Sequence, residues 1–140
     1  MKKIRVALLI GAFVVAAIFL YGKFHLKKSD YIQQNYSEYK IVIDKEKTTS
    51  RNIVLNIKNI SDENLYCDFE YRVEKYKNKS WYIFEENGYT EALGIVIPEY
   101  DTHEFEINRK YPLSPGKYRI IKTISTSEGE HALSAEFEIG

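Results

Sequence analysis

Residues 113–124 read LSPGKYRIIKTI, a turn that leads directly into a strand. Residues 114–116 are turn formers, and Gly116 can adopt backbone conformations that other residues resist. From Tyr118 onward the chain alternates, with Tyr118, Ile120 and Ile124, together with Lys122, at every second position. A period of two indicates an extended strand with one buried face.

The same alternation recurs through most of the chain. It predicts strands at residues 39–44, 53–58, 65–74, 81–84, within 89–97, and at 102–107, 118–124 and 133–139. Turn-forming residues lie between them, at 59–64, 77–80, 85–88, 113–116 and 125–130. Seven or eight short strands predict an all-β fold, an antiparallel β-sandwich over residues 39–140. The apolar positions predict a core between the sheets, comprising Leu55, Ile57, Phe69, Tyr71, Trp81, Ile120, Phe137 and Ile139.

The N-terminal segment has a different pattern. Residues 6–22 read VALLIGAFVVAAIFLYG, 17 residues without a charge. As a helix they would span about 25 Å, and flanking Lys side chains can reach the surfaces of a hydrocarbon core about 30 Å thick. The pattern predicts a transmembrane signal anchor at residues 6–26, after a cytoplasmic tail at 1–5 and before a polar linker at 27–38.

Two alternatives to an uncleaved anchor are disfavoured by the sequence. The best cleavage motif, at residues 15–17, is followed by four more apolar residues. A lipoprotein signal would need a Cys directly after the apolar run, and the chain's one Cys is Cys67.

The distribution of charge suggests which side of the membrane the body occupies. Residues 1–28 hold six Lys or Arg and no acid, and residues 29–140 carry a net charge of −6. An acidic body disfavours nucleic acid as a partner. The basic residues flank the apolar run equally, three on each side, and the terminal amine adds one more positive charge in front. We therefore expect a single-pass protein of the cell membrane with its body outside the cytoplasm.

The turn and strand at Gly116 to Ile120 (GKYRI) also carry a family resemblance. Together with Trp81, the Asn59–Asp62 turn and residues 135–139 (AEFEI), they resemble a bacterial Ig-like domain of membrane-anchored and lipid-anchored Gram-positive envelope proteins. The resemblance covers residues 39–140 and implies an Ig-like sandwich, an envelope location and no catalytic residues.

Four residues are predicted to have structural roles in that fold: Gly116, Tyr118, Trp81 and Phe137. A Tyr at the start of this strand can lay its ring on the core and bond its hydroxyl to the preceding turn, here between residues 111 and 115. Gly116 is expected to take a positive φ.

No set of residues has the spacing of a catalytic or metal site. His25, His103 and His131 lack metal-ligand spacing, and Cys67 falls among apolar strand residues. The acids at 85–86 beside Trp81 would suit a glycosidase, but solvated loop acids are the preferred interpretation. The turn at residues 62–64 offers oxygen ligands without the spacing of a calcium loop. The sequence therefore predicts no enzyme, metal or cofactor.

Twelve tyrosines point to recognition, because exposed Tyr supplies contact area with little loss of entropy. Five are expected on outer faces or loops: Tyr66, Tyr76, Tyr82, Tyr89 and Tyr100. The predicted function is a non-enzymatic, membrane-tethered, extracytoplasmic Ig-like binding module. Its expected partners are the bilayer, through residues 6–26, and an unidentified envelope protein. The alternatives are an Ig-like proteinase inhibitor and an accessory subunit of another membrane protein.

Overall fold

The structure is a computed structural model that describes residues 10–14, 26–88 and 94–140. The described residues form ten strands: β1 (Lys27–Lys28), β2 (Tyr39–Ile43), β3 (Asn52–Asn59), β4 (Leu65–Cys67), β5 (Tyr71–Lys77), β6 (Ser80–Asn87), β7 (Ile95–Ile97), β8 (Thr102–Asn108), β9 (Gly116–Thr126) and β10 (Gly129–Ile139). The prediction of an all-β antiparallel fold is confirmed, with ten strands rather than the seven or eight expected.

The strands form two sheets. The small sheet has the order β2-β3-β8. In the large sheet β9 is central: β10 pairs along one of its edges, and β5 and β4 share the other, with Arg72 opposite Ile121 and Tyr66 opposite Ser125. Outside them lie β6, which pairs with β5, and β7, which pairs with β4, while β1 pairs with the outer edge of β6.

The core lies between the facing sides of the two sheets. Ile53, Leu55 and Ile57 of β3 are fully buried there, and so are Val73, Tyr118, Ile120 and Ile124 of the large sheet. Phe137 is 5% exposed and packs in the same cluster. Burying apolar area on this scale is the main stabilising term of the fold.

Two members of the predicted core lie elsewhere. Phe69 is 41% exposed, because the strand predicted over residues 65–74 is interrupted between Cys67 and Tyr71. At the interruption Asp68 Oδ1 accepts the backbone N–H of Glu70, which turns the chain out of the ladder. Trp81 is half-buried on the outer face of the large sheet, where the guanidinium of Arg119 lies 4.5 Å from its ring.

The turn predicted at residues 85–88 is also wrong, because β6 continues to Asn87 and stays paired with β5. Glu85 forms an ion pair with Arg109, and Glu86 forms one with Arg72. These acids therefore lie in a strand and are paired with arginines, rather than in a solvated turn. The hairpin predicted at residues 125–130 is present, with its turn at 127–128. Residues 89–93, where Tyr89 was expected to be exposed, lie outside the described residues.

The predicted anchor at 6–26 falls mostly outside the described residues, and so does the tail at 1–5. Residues 10–14 are helical and exposed. No helix within the described residues has both the length and the apolar character to cross a membrane. The segment expected to be a linker contains β1 and lies against the large sheet, which the sequence did not predict.

Candidate functional site at the acidic loop end

Three connections meet at one end of the sandwich: the β3–β4 loop (60–64), the β7–β8 loop (98–101) and the β9–β10 turn with its flank (127–130). We call these segments the acidic loop end. The backbone N–H of Tyr100 donates to the carbonyl of Ser61 at 3.3 Å, which joins the first two loops. The hydroxyl of Ser127 donates to Glu63 at 2.6 Å, which joins the third. The three segments therefore form one surface, although they are far apart in sequence.

The buried side chain of Asn59 holds the first two loops together. Its amide nitrogen lies 2.7, 3.1 and 2.9 Å from the carbonyl oxygens of Glu63, Ile97 and Pro98. Its amide oxygen accepts from the backbone N–H and the hydroxyl of Ser61, at 3.0 and 2.6 Å. A buried network in which every group is satisfied makes the loops rigid before any partner arrives.

The rigid loops present two apolar side chains to solvent. Tyr100 is 70% exposed and Ile60 is 49% exposed. Tyr100 also has a φ of 56°, a conformation that is uncommon for a bulky residue and persists only where the surroundings impose it. An exposed aromatic ring on a preorganised loop is a common anchor of protein interfaces.

The charge of this end has one sign. Its three segments carry six acids and no Lys or Arg; the acids are Asp62, Glu63, Glu99, Asp101, Glu128 and Glu130. Burial, together with the charges of Glu128, Glu38 and Glu63, raises the pKa of the neighbouring Tyr39. The resulting negative potential attracts cationic partners and slows the approach of anionic ones.

Aromatic rings pack beside the acidic loop end. The rings of Tyr36, Tyr39 and His131 lie 5.0 to 5.4 Å apart, centre to centre. His131 is half-buried in this cluster, and its Nε2 lies 3.2 Å from the hydroxyl oxygen of Thr126. The cluster ties the start of the small sheet to β10.

The four residues predicted to have structural roles separate into two places. Tyr118 is fully buried and stacks on Phe137, with ring centres 5.7 Å apart, and its hydroxyl donates to the carbonyl of Ser114 at 2.7 Å. Gly116 precedes it with a φ of 154°, and a Cβ there would lie 3.4 Å from the Lys75 side chain. Trp81 lies apart from them on the outer face. The contribution of each to stability stays a prediction.

The side chains considered as catalytic or metal-binding groups are either bound to separate partners or buried. Glu85 and Glu86 bind different arginines, and burial raises the pKa of the Cys67 thiol. Within residues 10–14, 26–88 and 94–140, no three His, Cys, Asp or Glu side chains are arranged to hold a metal ion.

Lys122 is a buried cation whose burial the alternating pattern did not predict. It lies on the core face of β9 with Tyr118 and Ile120, and its ammonium is 4.4 Å from the centre of the Phe105 ring. It donates to the carbonyl of Glu70 at 2.7 Å and to that of Asp68, which holds the interruption between β4 and β5. Burial lowers the pKa of this ammonium. Its place in the apolar register of residues 118–124 was the available signal.

Comparison with known proteins places this sandwich in a family. A family model described as "Bacterial Ig-like domain" matches residues 35–138 of the 140. The chain belongs to this bacterial Ig-like domain family. The match confirms the Ig-like domain predicted from the GKYRI stretch, and it begins four residues before the predicted boundary. No curated protein sequence matches the chain.

Two of the solved structures similar to this Ig-like domain show its fold. One is the archaellum periplasmic stator protein complex FlaF and FlaG from Sulfolobus acidocaldarius, at 19% identity and a TM-score of 0.50, covering 78% of this chain and 99% of that one. The other is the Northeast Structural Genomics Consortium target SoR45, at 12% identity and a TM-score of 0.50, covering 76% of this chain and 89% of that one. At these identities the likeness shows the fold.

Proposed function

We propose that this Ig-like chain is a non-enzymatic, membrane-tethered interaction module of a Gram-positive bacterial envelope. In this proposal residues 6–26 anchor it in the bilayer, residues 39–140 lie outside the cytoplasm, and the acidic loop end binds a cationic surface of a protein partner. The observation that carries the binding role is Tyr100, 70% exposed on loops that buried Asn59 holds rigid.

The chemistry of the acidic loop end defines the partner. Six carboxylates without a cation in the same segments favour Lys and Arg on the partner, and the ring of Tyr100 offers its face to such a cation. Ile60 adds apolar area beside the ring. Preorganisation lowers the ordering entropy that binding would otherwise cost.

A protein partner is also supported by the fold comparison. The Sulfolobus structure is a complex of two proteins, FlaF and FlaG. A sandwich of this kind can therefore serve as an assembly module, and we propose that role here without transferring the identity of those partners.

Photo-crosslinking in native membranes tests the binding role. Tyr100 is replaced by p-benzoylphenylalanine in the full chain, and the matched control carries the same replacement at Tyr111, which is 69% exposed in the loop before β9. We expect position 100 to form an adduct with one protein and position 111 to form none with it. Equal adducts from both positions, or none from position 100, would refute the acidic loop end as the binding surface.

A further inference from the structure

Residues 29–38 cross the outer face of the large sheet, and we call them the strap. The strap begins at β6, where the backbone N–H of Ser29 donates to the carbonyl of Trp81 at 2.9 Å. It reaches β10, where the hydroxyl of Tyr31 lies 3.4 Å from the carbonyl of Ala132. It then turns around the edge of the sandwich and enters β2 at Tyr39. The strap therefore crosses β6, β5, β9 and β10 in turn on this face.

One cluster fastens the strap to the sheet. Glu74 is fully buried and accepts from Arg119 Nε at 2.7 Å, so the two form an ion pair across β5 and β9. The hydroxyl of Ser29 donates to the second oxygen of Glu74. The guanidinium of Arg119 lies between two rings, 4.8 Å from Tyr31 and 4.5 Å from Trp81. Ser29 and Tyr31 are the members that the strap contributes.

Beyond this cluster the strap buries little except Tyr36, which is half-buried against Tyr39 and His131. Residues 32–35 are all exposed, Ile32 to 79%, and Asp30 pairs with Arg72 at 3.3 Å while its own side chain is 88% exposed. A groove of about 650 Å³ opens between the strap and the sheet, with Ile121 and Ala132 among its lining. Segments that bury few apolar groups open at a lower free energy than the core does.

The ion pair would survive release of the strap. Glu74 and Arg119 come from neighbouring strands, and Trp81 covers Arg119 from within the sheet. Release would therefore unpair β1 from β6, break the contacts of Ser29, Asp30, Tyr31 and Tyr36, and leave no buried charge without its partner.

From these contacts we infer that the strap is a releasable tether that sets the distance between the Ig-like body and the membrane. The distance-setting role rests on the proposed anchor at 6–26. While the strap is docked, Lys27 is paired with Ile83, one residue beyond the end of the anchor. When it is released, the 13 bonds between residues 26 and 39 can extend to about 43 Å, at about 3.3 Å per residue. A docked strap holds the body at the bilayer, and a released one lets it reach a more distant partner.

Hydrogen exchange on the full chain in phosphatidylcholine nanodiscs tests the release. We expect the amides of 29–38 to exchange at least about tenfold faster than those of β9, because local opening requires less free energy than global unfolding. Tyr31→Ala and Ser29→Ala should each accelerate amide exchange in the strap further and leave the exchange of β9 unchanged. The matched control is Ile32→Ala, which removes an exposed side chain from the same segment. Strap amides that exchange together with β9 in the wild type and in both variants would overturn the inference.

Energy transfer tests the distance, because Trp81 is the one Trp of the chain. Trp81 is the energy donor, and dansyl-labelled phospholipid in the same nanodiscs is the acceptor. The Trp fluorescence of each variant is compared with that of the same variant in nanodiscs without dansyl. We expect Tyr31→Ala to lower the transfer and Ile32→Ala to leave it unchanged. Unchanged transfer in Tyr31→Ala would overturn the distance-setting role. Absence of transfer in the wild type would refute the membrane tether and that role together, and the exchange experiment would still decide whether the strap releases.

Discussion

Tyr118 combines two kinds of contact in one side chain. Its ring lies in the core against Phe137 and Phe84, and its hydroxyl returns to the turn at Ser114. The position of Gly116 two residues earlier lets the chain enter β9 in a conformation that a Cβ would strain. The local sequence therefore contains both ends of the hydrogen bond, which is why it could be anticipated.

The two contacts of Tyr118 can be separated by substitution. Tyr118→Phe keeps the ring and should lower the free energy of unfolding by about 0.5–1.5 kcal/mol, the net contribution of one hydrogen bond. Tyr118→Ala also leaves a cavity and should cost about 3–5 kcal/mol. Urea unfolding measures both, with Tyr111→Phe as the exposed control. An unchanged midpoint for Tyr118→Phe would refute a stabilising role for the hydroxyl.

Lys122 makes stability depend on pH, in a direction given by its lowered pKa. Between that folded-state pKa and the ordinary value of 10.5, the unfolded chain binds more protons than the folded one, so stability due to Lys122 rises with pH. Burial raises the pKa of the Cys67 thiol, which has the opposite effect above its ordinary value of 9.0.

Lys122→Met removes the titrating ammonium and keeps an unbranched apolar side chain of nearly the same length. The unfolding free energy of wild type minus that of Lys122→Met should therefore increase as the pH rises toward 10.5. Both proteins are unfolded in urea at a series of pH values, each in a Cys67→Ala background that removes the thiol. A difference that stays constant or falls with pH would contradict a lowered pKa.

At the scale of the element, β10 shows how far alternation predicts burial. Phe137 faces the core at 5% exposure, and Glu136 and Glu138 on either side of it are exposed. In β4 and β5 the same pattern wrongly predicted that Phe69 is buried, because the interruption at residues 68–70 lets Phe69 project out of the sheet. Two sets of contacts hold the interruption: Asp68 Oδ1 accepts the backbone N–H of Glu70, and Lys122, 54 and 52 residues away in sequence, donates to the carbonyls of Asp68 and Glu70.

Alanine substitutions on these strands should follow the observed faces. Phe137→Ala should cost about 3–5 kcal/mol of unfolding free energy, while Phe69→Ala, at a 41% exposed position, should cost less than about 1.5 kcal/mol. Glu136→Ala and Glu138→Ala should change it by less than about 1 kcal/mol. Thermal and urea unfolding give the order, and a larger cost for Phe69 than for Phe137 would mean that the faces are exchanged.

The loop pair at the acidic end depends on Asn59. Asn59→Ala leaves Ser61 and two loop carbonyls without their partner, and should cost about 1–3 kcal/mol. It should also accelerate hydrogen exchange at Ser61 and Tyr100, whose backbone groups join the loops. Asn64→Ala, an exposed change in the same loop, is the control. Equal exchange rates in the two variants would show that Asn59 does not hold the loops.

At the scale of the whole molecule, the strap and the proposed anchor determine how the body is presented. An uncleaved anchor with the body outside predicts that protease added to intact protoplasts digests residues 39–140 and leaves a small membrane-bound fragment. Immunoblotting with tags at either terminus measures this. A body that stays protected until the membrane is opened would contradict the orientation, and a secreted form lacking residues 1–17 would contradict the anchor.

The sequence by itself determined the class of the fold, most strand positions and the turn at Gly116, because alternation and turn chemistry are properties of neighbouring residues. It also indicated the turn at 59–62 and the exposure of Tyr100, two parts of the candidate site. Only the tertiary structure decided that loops 60–64, 98–101 and 127–130 meet and that Lys122 binds the carbonyls between β4 and β5. It also placed Trp81 against Arg119 on the outer face, and the strap across it. These features depend on contacts between residues that are distant in the chain. The alternation of neighbouring residues carries no information about which distant strand supplies a charge or a ring.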